Sequence, residues 1–573
     1  MIELEVDGRK IGAKEGDTIL AALKREGIQV PTLCHLEGLA PSGACRLCVV
    51  ELEGTSGFVP ACSYPVAAGA RIHTRTPKVL DARRTIVELL LGNHPDDCLY
   101  CARSGKCDLQ QLSQTMGIRQ RLYRRRRNVP ERDVSSPSIV RDPEKCILCG
   151  RCVRVCEEIQ GVAAIDFVGR GCKAYIGTAF DQGLNRSSCV NCGQCILVCP
   201  TGALSERSSL DEVISALADP TRLVIAQHAP AVSVSLAEEF GMESGIDVDG
   251  KMVAALRRIG FDRVFDTSFA ADLTIMEEAS ELAERIANGG ALPMLTSCSP
   301  GWIKFVEQYY PDLIPNVSTC KSPQQMMGAI VKSFFARREG IDPSRIVSVS
   351  IMPCTAKKFE AGRPEMAPNH IPDVDFVLTT RELGQLLRMF GVDLPLMAPE
   401  AADTPFGERS SAGKIFGASG GVMEAAIRTA CHLLTGQELA KLDIQPLRGM
   451  KGTKEMHTRI GDLGVGAAVV SGLGNARKLL DQVRAGRKDL HFIEVMTCPG
   501  GCINGGGQPI GADVNAARAR MQALYRIDQH GELRVSHKNP WVIRLYDEFL
   551  GKPLGETSHH LLHTHYTPRE VLI

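Results

Sequence analysis

Apolar Ile2, Leu4 and Val6 alternate with polar residues, Asp7-Gly8 follows, and the stretch DTILAALKREG begins at Asp17. Alternation at period two marks a half-buried strand, and Asp-Gly marks a tight hairpin turn. The DTILAALKREG pattern predicts a short helix capped by Asp17 and closed at Gly27, so the chain should open as a small mixed sheet with one helix. ARRTIVELLLGN also has helical spacing. From about Leu210 the texture changes. RLVIAQHAP, RIVSVSIMPC, GVGAAVVSG and DLHFIEVMTC read as buried strands, while DEVISALA, MVAALRRIG and EEASELAERIANGG read as helices. Several strands end in AP, MPC or MTC, and ligands of open α/β sheets collect beyond the carboxyl ends of strands. Those tips should therefore converge.

The chain has 573 residues, more than one hydrophobic core supports. Lys+Arg and Asp+Glu both number 66, so no net field favours nucleic acid. The polar alternation at the N-terminus lacks the apolar core of a signal peptide, and no run reaches the roughly 18 apolar residues of a membrane span. A cytoplasmic protein without membrane insertion is expected. In that reducing setting 22 cysteines point to metal binding or catalysis rather than to disulfides.

Cys34, Cys45, Cys48 and Cys62 lie mostly in Gly/Pro/Ser-rich sequence, which suits a 2Fe-2S cluster of variant spacing, with structural zinc the alternative. His94, Cys98, Cys101 and Cys107 in HPDDCLYCARSGKC suit a His/Cys3 cluster, again with zinc as the alternative. Two C-x2-C-x2-C-x3-C runs follow, and in this bacterial two-cluster pattern each fourth cysteine serves the other cluster. One 4Fe-4S cubane then takes Cys146, Cys149, Cys152 and Cys199, and the other takes Cys189, Cys192, Cys195 and Cys156. Four clusters in about 200 residues make an electron wire. Something beyond it must make or consume electrons.

Cys298, Cys354, Cys498 and Cys502 lie at or near strand tips, and GGG at 505–507 lets backbone approach something bulky. GLGNAR at 472–477 reads as a turn rather than a dinucleotide loop, YRRRR at 123–127 as a solvated linker, and Cys172, Cys320 and Cys431 as ordinary buried thiols. On sequence alone Glu278 and Glu281 fit a solvated helix face as well as a functional one.

TSCSPGW, MPCTAKKFE and FIEVMTCPGGCINGGGQP, with ADLTIMEEASEL and KSPQQMMGA, resemble the signature segments of the iron-only (FeFe) hydrogenases in their long multi-cluster form. The resemblance implies a multidomain α/β and α+β chain. Its parts would be a β-grasp 2Fe-2S ferredoxin-like domain over 1–78, a His/Cys3 domain over 79–136, a two-4Fe-4S ferredoxin-like domain over 137–209 and a large α/β H-cluster domain over 210–573. It implies reversible hydrogen oxidation at an H-cluster, a 4Fe-4S cubane joined through a cysteine sulfur to a two-iron unit carrying carbon monoxide, cyanide and a bridging dithiolate. Cys354, Cys498 and Cys502 match cubane ligands, Cys502 the bridging one, and Lys357 matches a donor to cyanide. Met352, Met496, Gln324 and Pro230 match the cofactor's surroundings, where Ala231 replaces a frequent serine. Cys298, Glu278, Ser318 and Glu281 match a proton path.

The chain departs from the pattern where Ser299 stands at the fourth cubane ligand, since an alkoxide is a hard donor. Direct ligation by Ser299, a shifted loop that uses Cys298, and a thiolate from Cys320 remain open. The resemblance also implies maturation proteins and either a ferredoxin or NAD(P)-linked flavoprotein subunits as partners. Competing expectations are an electron-transfer subunit of an NADH or formate dehydrogenase, and a hydrogen-sensing or iron–sulfur assembly relative.

Overall fold

A computed structural model of the chain describes residues 2–124, 130–461 and 463–571. The opening alternation forms β1 (Ile2–Val6) and β2 (Arg9–Ala13), paired antiparallel around Asp7 and Gly8, both at positive φ. β3 (Val49–Leu52), β4 (Phe58–Pro60) and β5 (Arg71–His73) complete a five-stranded sheet of order β2-β1-β5-β3-β4. The helix Ile19–Arg25 packs on it, but its cap is Thr18 rather than Asp17. Thr18 has the extended backbone that lets its hydroxyl accept from Ala21 N, whereas the Asp17 carboxylate closes the preceding turn on Lys14 N.

The middle of the chain is mostly loops. It contains a pair formed by β6 (Ile139–Arg141) and β9 (Leu204–Glu206) and another formed by β7 (Asp166–Val168) and β8 (Tyr175–Gly177). Cys172 is exposed here rather than buried, on a single 3-10 turn at Gly171–Lys173. The YRRRR stretch lies partly outside the described residues.

Two four-stranded sheets form the C-terminal body. β10 (Leu223–His228), β11 (Arg263–Asp266), β13 (Ile346–Met352) and β14 (Phe376–Thr379) make an all-parallel sheet in the order β11-β10-β13-β14. β12 (Met294–Leu295), β15 (Thr453–Ile460), β16 (Leu463–Ser471) and β17 (Phe492–Met496) order as β12-β17-β16-β15, with only β15 antiparallel. The four expected strands are thus all present. β10, β13 and β17 are buried almost end to end, as parallel strands covered on both faces require. GLGNAR is not a turn: Gly472 at φ +83° precedes the helix Leu473–Arg484. A Cβ on Gly474 would lie 2.8 Å from the Ile159 carbonyl oxygen, so this glycine permits close packing on the cysteine-rich middle.

Candidate active site

The tips of β10, β11, β12, β13 and β17 converge on one apolar cavity of about 90 Å³. β13 delivers Met352 and Cys354, β17 delivers Met496 and Cys498, and the segment after β17 brings Cys502. Pro230 and Ala231 after β10, Cys298 and Ser299 after β12, Gln324 and Lys357 complete the wall with Phe416 and Gly417. The expected cubane thiols, Cys298, Lys357 and the residues expected around the cofactor therefore share one chamber, whereas Glu278, Glu281 and Ser318 do not line it. Glycines let backbone close it: a Cβ on Gly505 would sit 2.1 Å from the Pro353 carbonyl oxygen, and one on Gly506 2.2 Å from that of Cys192.

Cys354, Cys498 and Cys502 lie close enough to act on one another's thiols. Burial pushes the Cys502 thiol up to about 12. Cys298 lines the same chamber. Burial raises its thiol first and the Glu278 charge next, against Lys357, so Cys298 is within electrostatic reach of Glu278 and of Cys502. The Ser299 hydroxyl shares a 2.7 Å hydrogen bond with Thr497 Oγ1 and accepts from Thr497 N, beside Cys498. Lys357 Nζ donates to the Cys298 carbonyl at 3.2 Å and to Glu360 at 2.9 Å. Glu360 in turn accepts from Gln324 and Ser322. Cys320 does not line the chamber; its thiol lies 3.8 Å from Glu281. That removes it from the alternatives for the fourth cubane ligand.

Glu278 and Glu281 are buried, on the inner face of the helix Ser268–Asn288 rather than on a solvated one. Both carboxylate oxygens of Glu278 lack a hydrogen-bond partner, although the Ser297 N–H and Ser318 hydroxyl lie nearby. Burial first and the Glu281 charge second push Glu278 up to about 8. Ser318 donates to Glu281 Oε2 at 2.7 Å, and Arg285 donates to Oε1 at 2.6 Å. Glu281 and Arg285 line a pocket open to solvent. Sequence reading missed Arg285 and Glu360, although each sits one turn from a residue it found, and it missed Thr497 beside Cys498. Phe416 carries no local signal at all.

Other cysteines also assemble, in the two C-x2-C-x2-C-x3-C runs and in the first domain. Cys156 joins Cys189, Cys192 and Cys195 around one small cavity, and Cys199 joins Cys146, Cys149 and Cys152 around another, which is the crossed pairing. Cys34 lies within hydrogen-bonding reach of Cys45 and Cys62, and Cys62 of Cys48. His94 is buried with its Nδ1 unpartnered. Cys107 lies near Cys101, while Cys98 is exposed. Cys192 lines the active-site chamber as well, so a neighbouring cysteine group abuts it. Convergent buried thiols, an orphaned imidazole nitrogen and glycine-lined walls fit iron–sulfur clusters and, in the large chamber, an H-cluster.

Residues 222–506 match the family described as iron only hydrogenase large subunit, C-terminal domain, and residues 514–569 match iron hydrogenase small subunit. The NADP-reducing hydrogenase subunit HndD of Solidesulfovibrio fructosivorans is 49% identical over all of both chains. The chain belongs to the iron-only hydrogenases. Iron hydrogenase 1 of Clostridium pasteurianum is 39% identical, covering 98% of this chain and 99% of its own. A solved variant of the [FeFe]-hydrogenase HydA1 from Chlamydomonas reinhardtii superposes with a TM-score of 0.58 at 42% identity, over 63% of this chain and 99% of that one. This hydrogenase also matches a 2Fe-2S iron-sulfur cluster binding domain at 1–77, an NADH-ubiquinone oxidoreductase-G iron-sulfur binding region at 83–121 and an NADH-quinone oxidoreductase subunit 3 ferredoxin-like domain at 136–205. Those matches explain why a dehydrogenase subunit competes on sequence, but the C-terminal matches decide for a hydrogenase. A cytosolic iron-sulfur assembly component of Rattus norvegicus matches only 63% of the chain.

Proposed function

We propose that this hydrogenase oxidises molecular hydrogen reversibly at an H-cluster held by Cys354, Cys498 and Cys502, with Ser299 Oγ as the fourth donor to the cubane. The convergence of these three thiols with Cys298 and Lys357 in one buried chamber that touches Cys192 carries the reading. Ser299 is bonded to Thr497 beside Cys498, and Cys298 is within electrostatic reach of Glu278, so the two neighbours divide the roles of ligand and proton donor. When bound, the H-cluster supplies the iron pair that polarises and splits hydrogen and a bridging base that takes the first proton.

The chain's own groups then move charge. Cys298 passes the proton to Glu278, and Ser318 relays it to Glu281, which Arg285 holds at the mouth of the solvent pocket. Lys357, braced by Glu360, would offer N–H donors to the two-iron unit, and Met352 and Met496 would keep water away from it. Cys156, Cys189, Cys192 and Cys195 would hold one 4Fe-4S cubane, and Cys146, Cys149, Cys152 and Cys199 a second. His94, Cys98, Cys101 and Cys107 would hold a third cluster, and Cys34, Cys45, Cys48 and Cys62 the 2Fe-2S cluster of the β-grasp domain; together these would supply a path for electrons.

The domain limits proposed are 1–78, 79–136, 137–209 and 210–573. The relative's name and the dehydrogenase-like matches support NAD(P)-linked partner subunits, with maturation proteins supplying the two-iron unit, in the cytoplasm. Among the described residues no helix is long and apolar enough to cross a membrane. Infrared bands of iron-bound carbon monoxide and cyanide in matured protein, together with hydrogen uptake and evolution, test the reading. Matured protein with the bands but no turnover would favour a sensor, and absence of both would refute the H-cluster assignment.

A further inference from the structure

Cys320 takes no part in the relay, yet its thiol lies 3.8 Å from Glu281 Oε2, and His563 brings a third donor to the same place. One ligand atom from each of Glu281, Cys320 and His563 lies within 4.8 Å of the others, and all three side chains are buried. They are far apart in sequence, with His563 arriving from the segment that follows the helix Glu556–Leu562. We propose that Glu281, Cys320 and His563 form a site for a thiophilic divalent cation, zinc being the representative case, whose binding stops proton transfer through Glu281. The inference rests on the proton path proposed above.

A carboxylate oxygen, a thiolate sulfur and an imidazole nitrogen make a donor set suited to zinc. Ligands at roughly 2.0–2.3 Å around a tetrahedral ion stand about 3.5 Å apart, close to the spacing already present between Glu281 and Cys320. The imidazole is braced from both sides. His563 Nδ1 meets Thr319 Oγ1 at 2.7 Å and Nε2 meets Glu277 Oε2 at 3.1 Å, so whichever nitrogen takes the metal, the other keeps a partner that fixes the ring. Glu277 is itself held by the Tyr546 hydroxyl at 2.5 Å and the Leu554 N–H at 2.8 Å. The pocket lined by Glu281, Thr319 and His559 gives a route from solvent. The arriving ion takes the lone pair of Cys320 as its proton leaves to solvent, and it occupies the carboxylate that accepts from Ser318. Glu281 can then no longer receive a proton.

Zinc is added to the matured holoenzyme, and hydrogen oxidation, bound zinc, iron content and zinc-edge X-ray absorption are followed together. The expected result is at least tenfold inhibition with iron content unchanged and a zinc–sulfur shell from one sulfur. C320A, referred to its own uninhibited rate, should need more than tenfold more zinc and lose the sulfur shell; H563Q provides a second variant should C320A fold poorly. Inhibition equal in both variants and wild type, or bound zinc with only oxygen and nitrogen neighbours, as His432, Glu438 and His537 would supply, overturns the site. Zinc bound with sulfur at full turnover overturns the blocking role and counts against Glu281 in the path. Failure of the path alone is read separately, from E278Q without zinc.

Discussion

Glu278 is a buried acid without a hydrogen-bond partner, and a proton relay needs a group that changes protonation near working pH. Its folded value of about 8 lies above that of an unfolded glutamate, so the folded state favours the protonated acid. That contribution is complete below the unfolded value and is lost as pH rises through about 8. E278Q should therefore lower turnover by about 10²–10⁴-fold at normal iron content. It should also remove the loss of thermal stability expected of the wild type as pH rises from about 4.5 to about 8, as thermal unfolding at pH 5 and pH 8 would reveal. Ser299 makes a second prediction at this scale. S299C should retain the cubane and alter its paramagnetic resonance spectrum, because a soft thiolate replaces a hard oxygen donor. S299A should lose cubane iron; full iron and an unaltered spectrum in both variants would take Ser299 out of the donor set.

At the scale of elements, the chamber depends on strands that stop and glycines that follow. β13 and β17 end one residue before Pro353 and Thr497, and the segment from Cys498 to Gly507 then folds back between the strand tips and the cysteine-rich middle. There is no room for a side chain at Gly505 or Gly506. G506A should cost at least about 2 kcal/mol, as expected of overpacking against backbone, and should reduce occupancy of the large chamber while sparing the 2Fe-2S signal. Denaturant unfolding and cluster spectroscopy measure the two effects. The triple glycine was visible in the sequence as a place of close approach, but what approaches it, the Cys192 carbonyl from about 300 residues earlier, was not.

Across the whole molecule, buried polar contacts lock the cysteine-rich middle onto the C-terminal body. Arg381 Nε and Nη2 donate to Glu206 on β9 at 2.9 and 2.8 Å, and Nη2 also donates to the Gly506 carbonyl at 2.9 Å. Gln194 donates to the Asn504 carbonyl, and Thr355 to that of Asn191. These bonds hold Cys192 against the chamber, as the proposed electron route requires. R381A leaves the partly buried Glu206 carboxylate without its guanidinium partner and should cost about 1–3 kcal/mol. It should also slow electron transfer to an external dye more than hydrogen–deuterium exchange at the active site, as parallel assays would separate. Equal slowing of both would make Arg381 a purely local support.

The sequence by itself determined the chemistry: cysteine spacing is a local property, and it specified which thiols group in the N-terminal half and which strand tips carry the rest. Strand and helix periods were equally local, so β10, β13, β16 and β17 were legible. Tertiary structure alone decided burial, partners and sides. It turned Glu278 and Glu281 inward, left Cys172 exposed, brought Cys298 within reach of the Glu278 charge, bonded Ser299 to Thr497, and placed Cys320 beside Glu281 rather than in the chamber wall. The physical reason is that a side chain's charge and hydrogen bonds depend on desolvation by segments hundreds of residues away, and no spacing along the chain encodes that.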